Sequence, residues 1–158
     1  MRTFLNEIIE ILIKKELTLA TCESVTGGMI GSNIISVGGA SKVYLGGLTA
    51  YSKQIKIQQA KVPPQIIQNH GTISKETAIA MAEGAKVKFN ADVILSITGN
   101  AGPQPDEDKP IGLSYLTIIL IDKVYTYELH STEIERNNIR VDFTYQALTK
   151  LLNLLKSV

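Results

Sequence analysis

Several features are scarce in this sequence, and each scarcity excludes a class of protein. Cys22 is the one cysteine among 158 residues, which excludes an internal disulfide and a zinc site made of cysteines alone. A thiol without a partner is typical of a reducing compartment and favours a cytoplasmic protein. The longest uncharged stretch of apolar character, residues 111–121, is too short to cross a bilayer.

The net charge is also low. Lys and Arg number 16 and Asp and Glu number 15, giving a charge of +1. This balance argues against binding of duplex nucleic acid through bulk charge, but it leaves room for a local basic pocket. Acidic residues interrupt the apolar positions of residues 1–17, which predicts an amphipathic helix rather than a secretory signal. The length is close to one domain, so we expect a single domain over residues 1–158.

The spacing of apolar residues predicts alternating helices and strands. Positions 4, 5, 8, 9, 12 and 13 share one face of a helix, and short apolar segments bounded by turn residues predict strands. This alternation indicates an α/β fold, and a hairpin late in the chain makes its sheet mixed. The predicted strands cover 17–24, 45–51, 92–98, 113–121 and 124–129, and the predicted helices cover 3–16, 52–60, 75–89 and 134–155, with a further helix from Met29 and a short helix or loop over 65–72.

The segment TCESVTGG, residues 21–28, is the first candidate site. A strand, a Gly27-Gly28 turn and a helix follow one another, so backbone N–H groups at the helix start could bind an anion or a developing oxyanion. Ser24 at the strand end is a candidate nucleophile. The alternative is that the glycines form only a tight turn, with Glu23, Ser24 and Thr26 capping the helix.

Lys56 is the candidate base for such a serine. His70 and His130 have no acid beside them at a useful spacing, whereas a lysine buried among apolar groups titrates near neutrality. Tyr51 ends the predicted strand five residues earlier. The alternative is that Lys56 is an ordinary exposed lysine of a solvated helix.

Residues 96–112 form a strand end followed by a long loop rich in Gly and Pro. Backbone N–H groups of this loop would lie at the carboxyl edge of the sheet, where α/β proteins bind ligands. The acids Asp106, Glu107 and Asp108 are more typical of a solvated loop than of a metal site, because no second cluster of ligands supports them. We therefore predict no metal.

Two of the three arginines, Arg136 and Arg140, lie four residues apart near the start of the last predicted helix. They share a helix face, and an arginine fork suits phosphate or carboxylate. We expect both to face the Ser24 pocket; the alternative is a surface pair with Glu133 and Glu135.

Four motifs together resemble the C-terminal domain of the competence/damage-inducible protein CinA, a family that also occurs as a stand-alone nicotinamide mononucleotide amidase. The resemblance covers roughly residues 5–155. Its order and spacing are carried by Glu23–Gly28, Gly47–Lys56, His70–Ser74 and Ser96–Pro103, the last followed by Lys109–Gly112.

This resemblance implies a three-layer α/β/α sandwich and hydrolysis of nicotinamide mononucleotide to nicotinic acid mononucleotide and ammonia, in pyridine nucleotide salvage, without metal or cofactor. It implies Ser24 as the nucleophile and Lys56 as the base, with Tyr51 close by. The residues expected at the substrate are Glu23, Thr26, Gly27, Gly28, Thr98, Gly99, Asn100, Ala101, Gly102, Arg136 and Arg140.

The sequence departs from the family pattern at a few positions. Lys53 replaces an asparagine, Asn100 replaces an apolar residue, residues 104–108 replace a glycine-rich stretch, and a Gly-Asp before Arg136 is missing. The alternative function is therefore a catalytically silent protein that binds a nucleotide or regulates a partner. Cys22 is expected to be structural, since no histidine nearby in the sequence would make a thiolate.

The apolar content of the strand over 113–121 and of the last helix exceeds what one small sheet obviously covers. We therefore expect a homodimer or a larger assembly.

Overall fold

The computed structural model describes residues 2–158, which form one five-stranded sheet with helices on both faces. This confirms the predicted α/β class and the mixed sheet. The strands are β1 (Leu19–Glu23), β2 (Tyr44–Thr49), β3 (Val93–Gly99), β4 (Leu113–Leu120) and β5 (Lys123–His130). The helices are α1 (Arg2–Lys14), α2 (Met29–Ile35), α3 (Lys53–Gln58), α4 (Pro64–His70), α5 (Lys75–Phe89) and α6 (Arg136–Lys156), with a 3₁₀ turn over Ala40–Lys42.

The strand order, β2-β1-β3-β4-β5, decides where a ligand can enter. β1 is parallel to both β2 and β3, whereas β3, β4 and β5 are antiparallel to one another in turn. The chain leaves β1 toward β2 on one side, and β3 lies on the other side of β1. The loops after β1 and β3 therefore diverge and leave a crevice at the carboxyl ends of these strands, which is where open α/β sheets bind ligands.

Each face of the sheet has its own core. On one face, α1, α2 and α6 pack aliphatic side chains and Phe143 against alternate residues of β1, β3 and β4. On the other face, α4 and α5 pack small residues against Ala20 and Ile94. Gly84 lets α5 approach the segment that follows α3, because a Cβ there would lie 1.6 Å from the carbonyl oxygen of Ala60.

Most of the apolar surface behind the homodimer expectation is covered within one chain. Leu116 and Ile118 of β4 and Phe143, Leu148 and Leu151 of α6 are all buried in the core that the two elements share. The homodimer stays a prediction, but this apolar surface no longer supports it. Within residues 2–158, no helix has the length and apolar character needed to cross a membrane.

Some element ends differ from their prediction for local reasons. β1 begins at Leu19 rather than residue 17, because the Thr18 N–H and hydroxyl both donate to the Asp92 carboxylate. β2 ends at Thr49, before Tyr51: the Ala50 N–H still donates to the Glu23 carbonyl of β1, and the chain then turns toward α3. The segment left open as helix or loop is helix α4, with Pro64 in its first turn.

Candidate active site

Ser24 lies one residue beyond β1, in the crevice between the loops. Its N–H donates to the Ile97 carbonyl at 3.0 Å, so it still follows the sheet. The chain then turns through Gly27 and Gly28, whose φ angles of +58° and +103° are strained for residues with a Cβ. The strand therefore fixes Ser24 while the turn directs the chain away from its hydroxyl.

Lys56 lies against Ser24. The lysine is 2% exposed, and its Nζ lies 2.8 Å from Ser24 Oγ, 2.9 Å from the Ala50 carbonyl and 2.8 Å from the Tyr51 carbonyl. Helix α3 carries the lysine, and the Ser52 side chain caps that helix by accepting from the Ile55 N–H. The exposed-lysine alternative is therefore wrong.

The surroundings of Lys56 make its neutral amine accessible near neutral pH. Burial lowers the pKa of Lys56 to about 8, against the weaker opposing influences of Cys22 and Glu107. A neutral amine donates two N–H bonds and offers one lone pair. With both donors directed to the Ala50 and Tyr51 carbonyls, the lone pair points to the Ser24 hydroxyl. The pair can therefore act as a nucleophile and its base.

The sequence had suggested that the turn after Ser24 leaves the start of α2 open to a ligand. The structure shows that it does not. The buried Glu23 carboxylate accepts from the Thr26 hydroxyl at 2.6 Å and from the N–H groups of Gly28, Ile30 and Gly31 at 3.2, 2.9 and 3.0 Å. The oxyanion site expected at Thr26–Gly28 is therefore largely occupied by Glu23, and the capping alternative is correct for Glu23. Within residues 2–158, the N–H groups of Val25 and Thr26 have no acceptor in this turn.

Arg136 and Arg140 contact different parts of the molecule. Arg140 donates from Nε to the Val25 carbonyl at 2.9 Å and from Nη2 to the Thr26 carbonyl at 3.1 Å, and its Nη1 donates to Asn137. It therefore binds the back of the turn, and the expectation that it faces the Ser24 pocket is wrong. Arg136 does line that pocket: it donates to the Gly102 carbonyl, and its Nη2 lies 3.3 Å from Tyr51 Oη.

A cavity of about 310 Å³ opens over Ser24 and Lys56. Its walls come from the ends of β1 and β3, the start of α3, the turn before α5 and the start of α6. Of the predicted residues, it brings together Ser24, Tyr51, Lys56, Thr98, Gly99, Asn100, Ala101 and Arg136. The other predicted residues, Glu23, Thr26, Gly27, Gly28, Gly102 and Arg140, do not line it.

The loop after β3 supplies fewer free donors than expected. The Asn100 N–H donates to the Leu113 carbonyl at 2.9 Å, and the Gly102 N–H donates to the Asn100 side chain at 2.9 Å. Between Asn100 and Gly102, the Ala101 N–H has no acceptor within residues 2–158. Ala101 and Val25 both line the cavity, which makes their N–H groups the candidate donors for a ligand there.

Comparison with known proteins decides the family. Residues 1–155 match the model of the family described as the CinA C-terminal domain. The chain belongs to this family. A CinA-like protein of Dictyoglomus thermophilum is 40% identical over 148 residues, which cover 92% of this chain and 36% of that protein. Protein MG115 of Mycoplasma genitalium is 40% identical over 152 residues, covering 96% and 97% of the two chains.

Solved structures agree with this CinA assignment. Competence/damage inducible protein CihA from Agrobacterium tumefaciens superposes with a TM-score of 0.91 at 30% identity, covering 97% of this chain and 94% of that one. A CinA superfamily protein from Klebsiella pneumoniae reaches 0.95 at 22% identity, with 99% and 98% covered, and supports the fold alone. The chain spans about a third of the longer curated relatives and nearly all of MG115.

Sequence reasoning missed part of the cavity of this CinA domain. Val25, Lys53, Thr72, Ile73 and Asp106 also line it. Lys53 had a usable signal, because residues three apart share a helix face and Lys56 was already a candidate. Thr72 and Ile73 lie in the His70–Ser74 motif, to which no role had been given.

Glu107 holds the turn that carries Thr72 and Ile73. Its carboxylate accepts from the Thr72 N–H at 2.8 Å, the Thr72 hydroxyl at 2.9 Å and the Ile73 N–H at 2.8 Å. On the other side, the Thr98 hydroxyl donates to the Thr72 carbonyl at 2.7 Å. Glu107 therefore links its loop to this turn and is not simply solvated. Within residues 2–158, no group of three or more His, Cys, Asp and Glu side chains could hold a metal ion.

Cys22 lies on β1, buried beneath the site. Burial raises the pKa of the Cys22 thiol to about 12, so the thiol stays protonated at neutral pH. A protonated buried thiol packs as a small apolar group. This supports Ser24 rather than Cys22 as the nucleophile of the site.

Proposed function

We propose that this chain is an amidase that hydrolyses nicotinamide mononucleotide to nicotinic acid mononucleotide and ammonia. The observation that carries the proposal is the 2.8 Å contact between Lys56 Nζ and Ser24 Oγ at the floor of an open cavity. A serine hydroxyl becomes a useful nucleophile when a neighbouring base can take its proton. The choice of nicotinamide mononucleotide as substrate rests on the motifs that resemble those of the CinA family.

The mechanism begins with a neutral Lys56. Ser24 Oγ attacks the carboxamide carbon while Lys56 accepts the hydroxyl proton, giving a tetrahedral intermediate. Lys56 then returns this proton to the departing ammonia, which leaves an acyl ester on Ser24. Water attacks the ester with Lys56 again as base, and the acid is released as the proton returns to Ser24.

The developing oxyanion needs donors that the protein does not use for itself. The N–H groups of Val25 and Ala101 meet this requirement, and both residues line the cavity beside Ser24. Backbone donors already in place are typically worth about 3 kcal/mol each in the transition state. We therefore assign the oxyanion site to these residues rather than to Thr26–Gly28.

The departures from the family pattern at Asn100 and residues 104–108 favour a second candidate function, a catalytically silent protein that binds a nucleotide. Asn100 and Asp106 line the cavity, so this wall differs from the one that the family motif implies. The two functions differ in turnover, because both allow binding of the nucleotide but only the amidase releases ammonia.

The deciding experiment measures ammonia and nicotinic acid mononucleotide formed by the purified protein, with binding of nicotinamide mononucleotide followed by calorimetry. We expect turnover in the wild type and a loss of at least about 1,000-fold in Ser24→Ala. Ser36→Ala, at an exposed serine outside the cavity, is the matched control. Binding without turnover would support the silent protein, and the absence of both would refute the two functions together.

The pH dependence tests the role of Lys56 separately. Because the base must be neutral and its pKa is about 8, kcat/KM should rise about tenfold per pH unit below pH 8 and level off above it. A steady-state pH profile of the wild type checks this. A profile that is flat between pH 6 and pH 9 would contradict Lys56 as the base.

A further inference from the structure

Lys53 lies on the rim of the cavity that holds Ser24. It begins helix α3, three residues before Lys56, and residues at this spacing share a helix face. Lys56 points inward to Ser24, so Lys53 lies one turn away on the same face, toward solvent. It lines the cavity and is itself exposed.

Arg136 reaches the same rim from a distant part of the chain. It is held by the Gly102 carbonyl and by Tyr51 Oη, at 3.3 Å from Nη2, and Tyr51 is only two residues from Lys53. Neither Lys53 nor Arg136 forms an ion pair with a carboxylate among residues 2–158. The rim therefore carries two cations that the protein does not neutralise by direct pairing.

The charges around the cavity favour an anionic ligand at this rim. Apart from Lys56, the lining residues contribute two cations, Lys53 and Arg136, against the one carboxylate of Asp106. Arg140 does not serve this purpose, because its guanidinium donors are directed to Val25, Thr26 and Asn137. A phosphate ester with two negative charges would be repelled by Asp106 and attracted to the rim.

We propose that Lys53 binds the substrate phosphate together with Arg136 and sets the preference for a nucleotide over the uncharged nucleoside. This rests on the proposed function, since the amide of the same substrate must reach Ser24. The phosphate is remote from the reacting carbon. Lys53 is therefore a determinant of specificity, with no part in proton transfer.

The test measures binding by calorimetry in a Ser24→Ala background, which prevents turnover. Nicotinamide mononucleotide and nicotinamide riboside are titrated into the parent protein, Lys53→Met and Lys42→Met. Lys42 is an exposed lysine outside the cavity, so both variants lose the same charge. We expect Lys53→Met to weaken the mononucleotide about tenfold and the riboside less than twofold, with Lys42→Met close to the parent. The mononucleotide preference should shrink as salt is raised.

Two results would overturn the proposal: unchanged affinity for the mononucleotide in Lys53→Met, or an equal loss for both ligands. Ribose 5-phosphate and ribose serve as further probes that lack the amide. Binding of ribose 5-phosphate that depends on Lys53, without binding of the mononucleotide, would refute the proposed substrate and leave the phosphate site standing. Failure of both phosphate esters to bind would refute the two proposals together.

Discussion

The loops after β1 and β3 flank the same cavity, but they are held in opposite ways. The β1 turn, residues 24–28, is mostly buried; Glu23 binds its donors and Arg140 binds its carbonyls. The β3 loop, residues 99–112, is exposed over most of its second half, and Glu107 is its main link to the turn before α5. The β1 turn is held by a buried carboxylate and a half-buried guanidinium, whereas the β3 loop is held by an exposed carboxylate.

This difference separates the positioning of Ser24 from the shaping of the cavity wall formed by the β3 loop. A buried polar group without a partner is costly, so a change in the β1 turn disturbs several partners at once. An exposed loop exchanges protein hydrogen bonds for water with little loss. The departures from the family pattern agree with this, since residues 23–28 keep the motif whereas Asn100 and residues 104–108 depart from it.

The strongest test compares the two glutamates that hold these loops. Glu23→Ala removes an acceptor shared by four donors, and we expect a loss of about 3 kcal/mol or more in the free energy of unfolding. Glu107→Ala removes an acceptor shared by three donors, but in an exposed place. Urea unfolding of both variants measures the contrast. Equal losses would mean that burial does not distinguish the loops.

Lys56→Met should change the pH dependence of stability. The folded pKa of about 8 lies below the ordinary value of 10.5, so between these values the unfolded chain binds more protons. Wild-type stability should therefore rise with pH across this window, whereas Lys56→Met lacks that contribution. Relative to the variant, the wild type should gain about 2 kcal/mol between pH 7 and pH 9.5. Urea unfolding at the two pH values measures it, and a constant difference would show that Lys56 stays charged in the folded protein.

The arginines offer a second matched pair. Arg140→Met should cost roughly 1.5 kcal/mol of stability, because the Val25 and Thr26 carbonyls lose a charged donor. Arg136→Met should cost less stability and raise KM for nicotinamide mononucleotide several-fold, since Arg136 lines the cavity. Thermal unfolding and steady-state kinetics separate the two effects. The assignment fails if the variants exchange these phenotypes.

The smallest expected effect on stability is that of Glu107→Gln. A glutamine keeps one acceptor oxygen for the turn at Thr72 and Ile73, so the free energy of unfolding should fall by less than about 1 kcal/mol. KM should rise about threefold as the cavity wall loosens, with kcat nearly unchanged. Asp108→Asn, in the same loop, is the control. A large loss of kcat would place Glu107 in the chemistry instead.

The sequence predicted most of the helices and strands because their signals are local. The helix over 75–89 agrees with α5, Lys75–Phe89, since Ser74 caps it and its side chain accepts from the Thr77 N–H. Ser24 and Lys56 are brought together by strand order, and the family motifs already pointed to both.

What could not be predicted depends on partners distant in the chain. Glu107 binds a turn 35 residues away, and Arg140 binds carbonyls more than a hundred residues away. The positive charge of an arginine or lysine is equally compatible with a bound anionic ligand and with an acidic side chain of the protein itself. Only the fold shows that Arg140 donates to backbone carbonyls, whereas Lys53 remains available to bind a ligand.

The link between Arg140 and the turn after Ser24 also bears on the order in which the protein is made. Ser24 is synthesised before the side chain that binds its turn, because Arg140 follows Val25 by 115 positions. Arg136, which completes the cavity wall, is made just before it. A nascent chain that contains β1 and α3 but not α6 therefore holds Ser24 and Lys56 without the finished cavity. The cavity wall is complete only after α6 has been made.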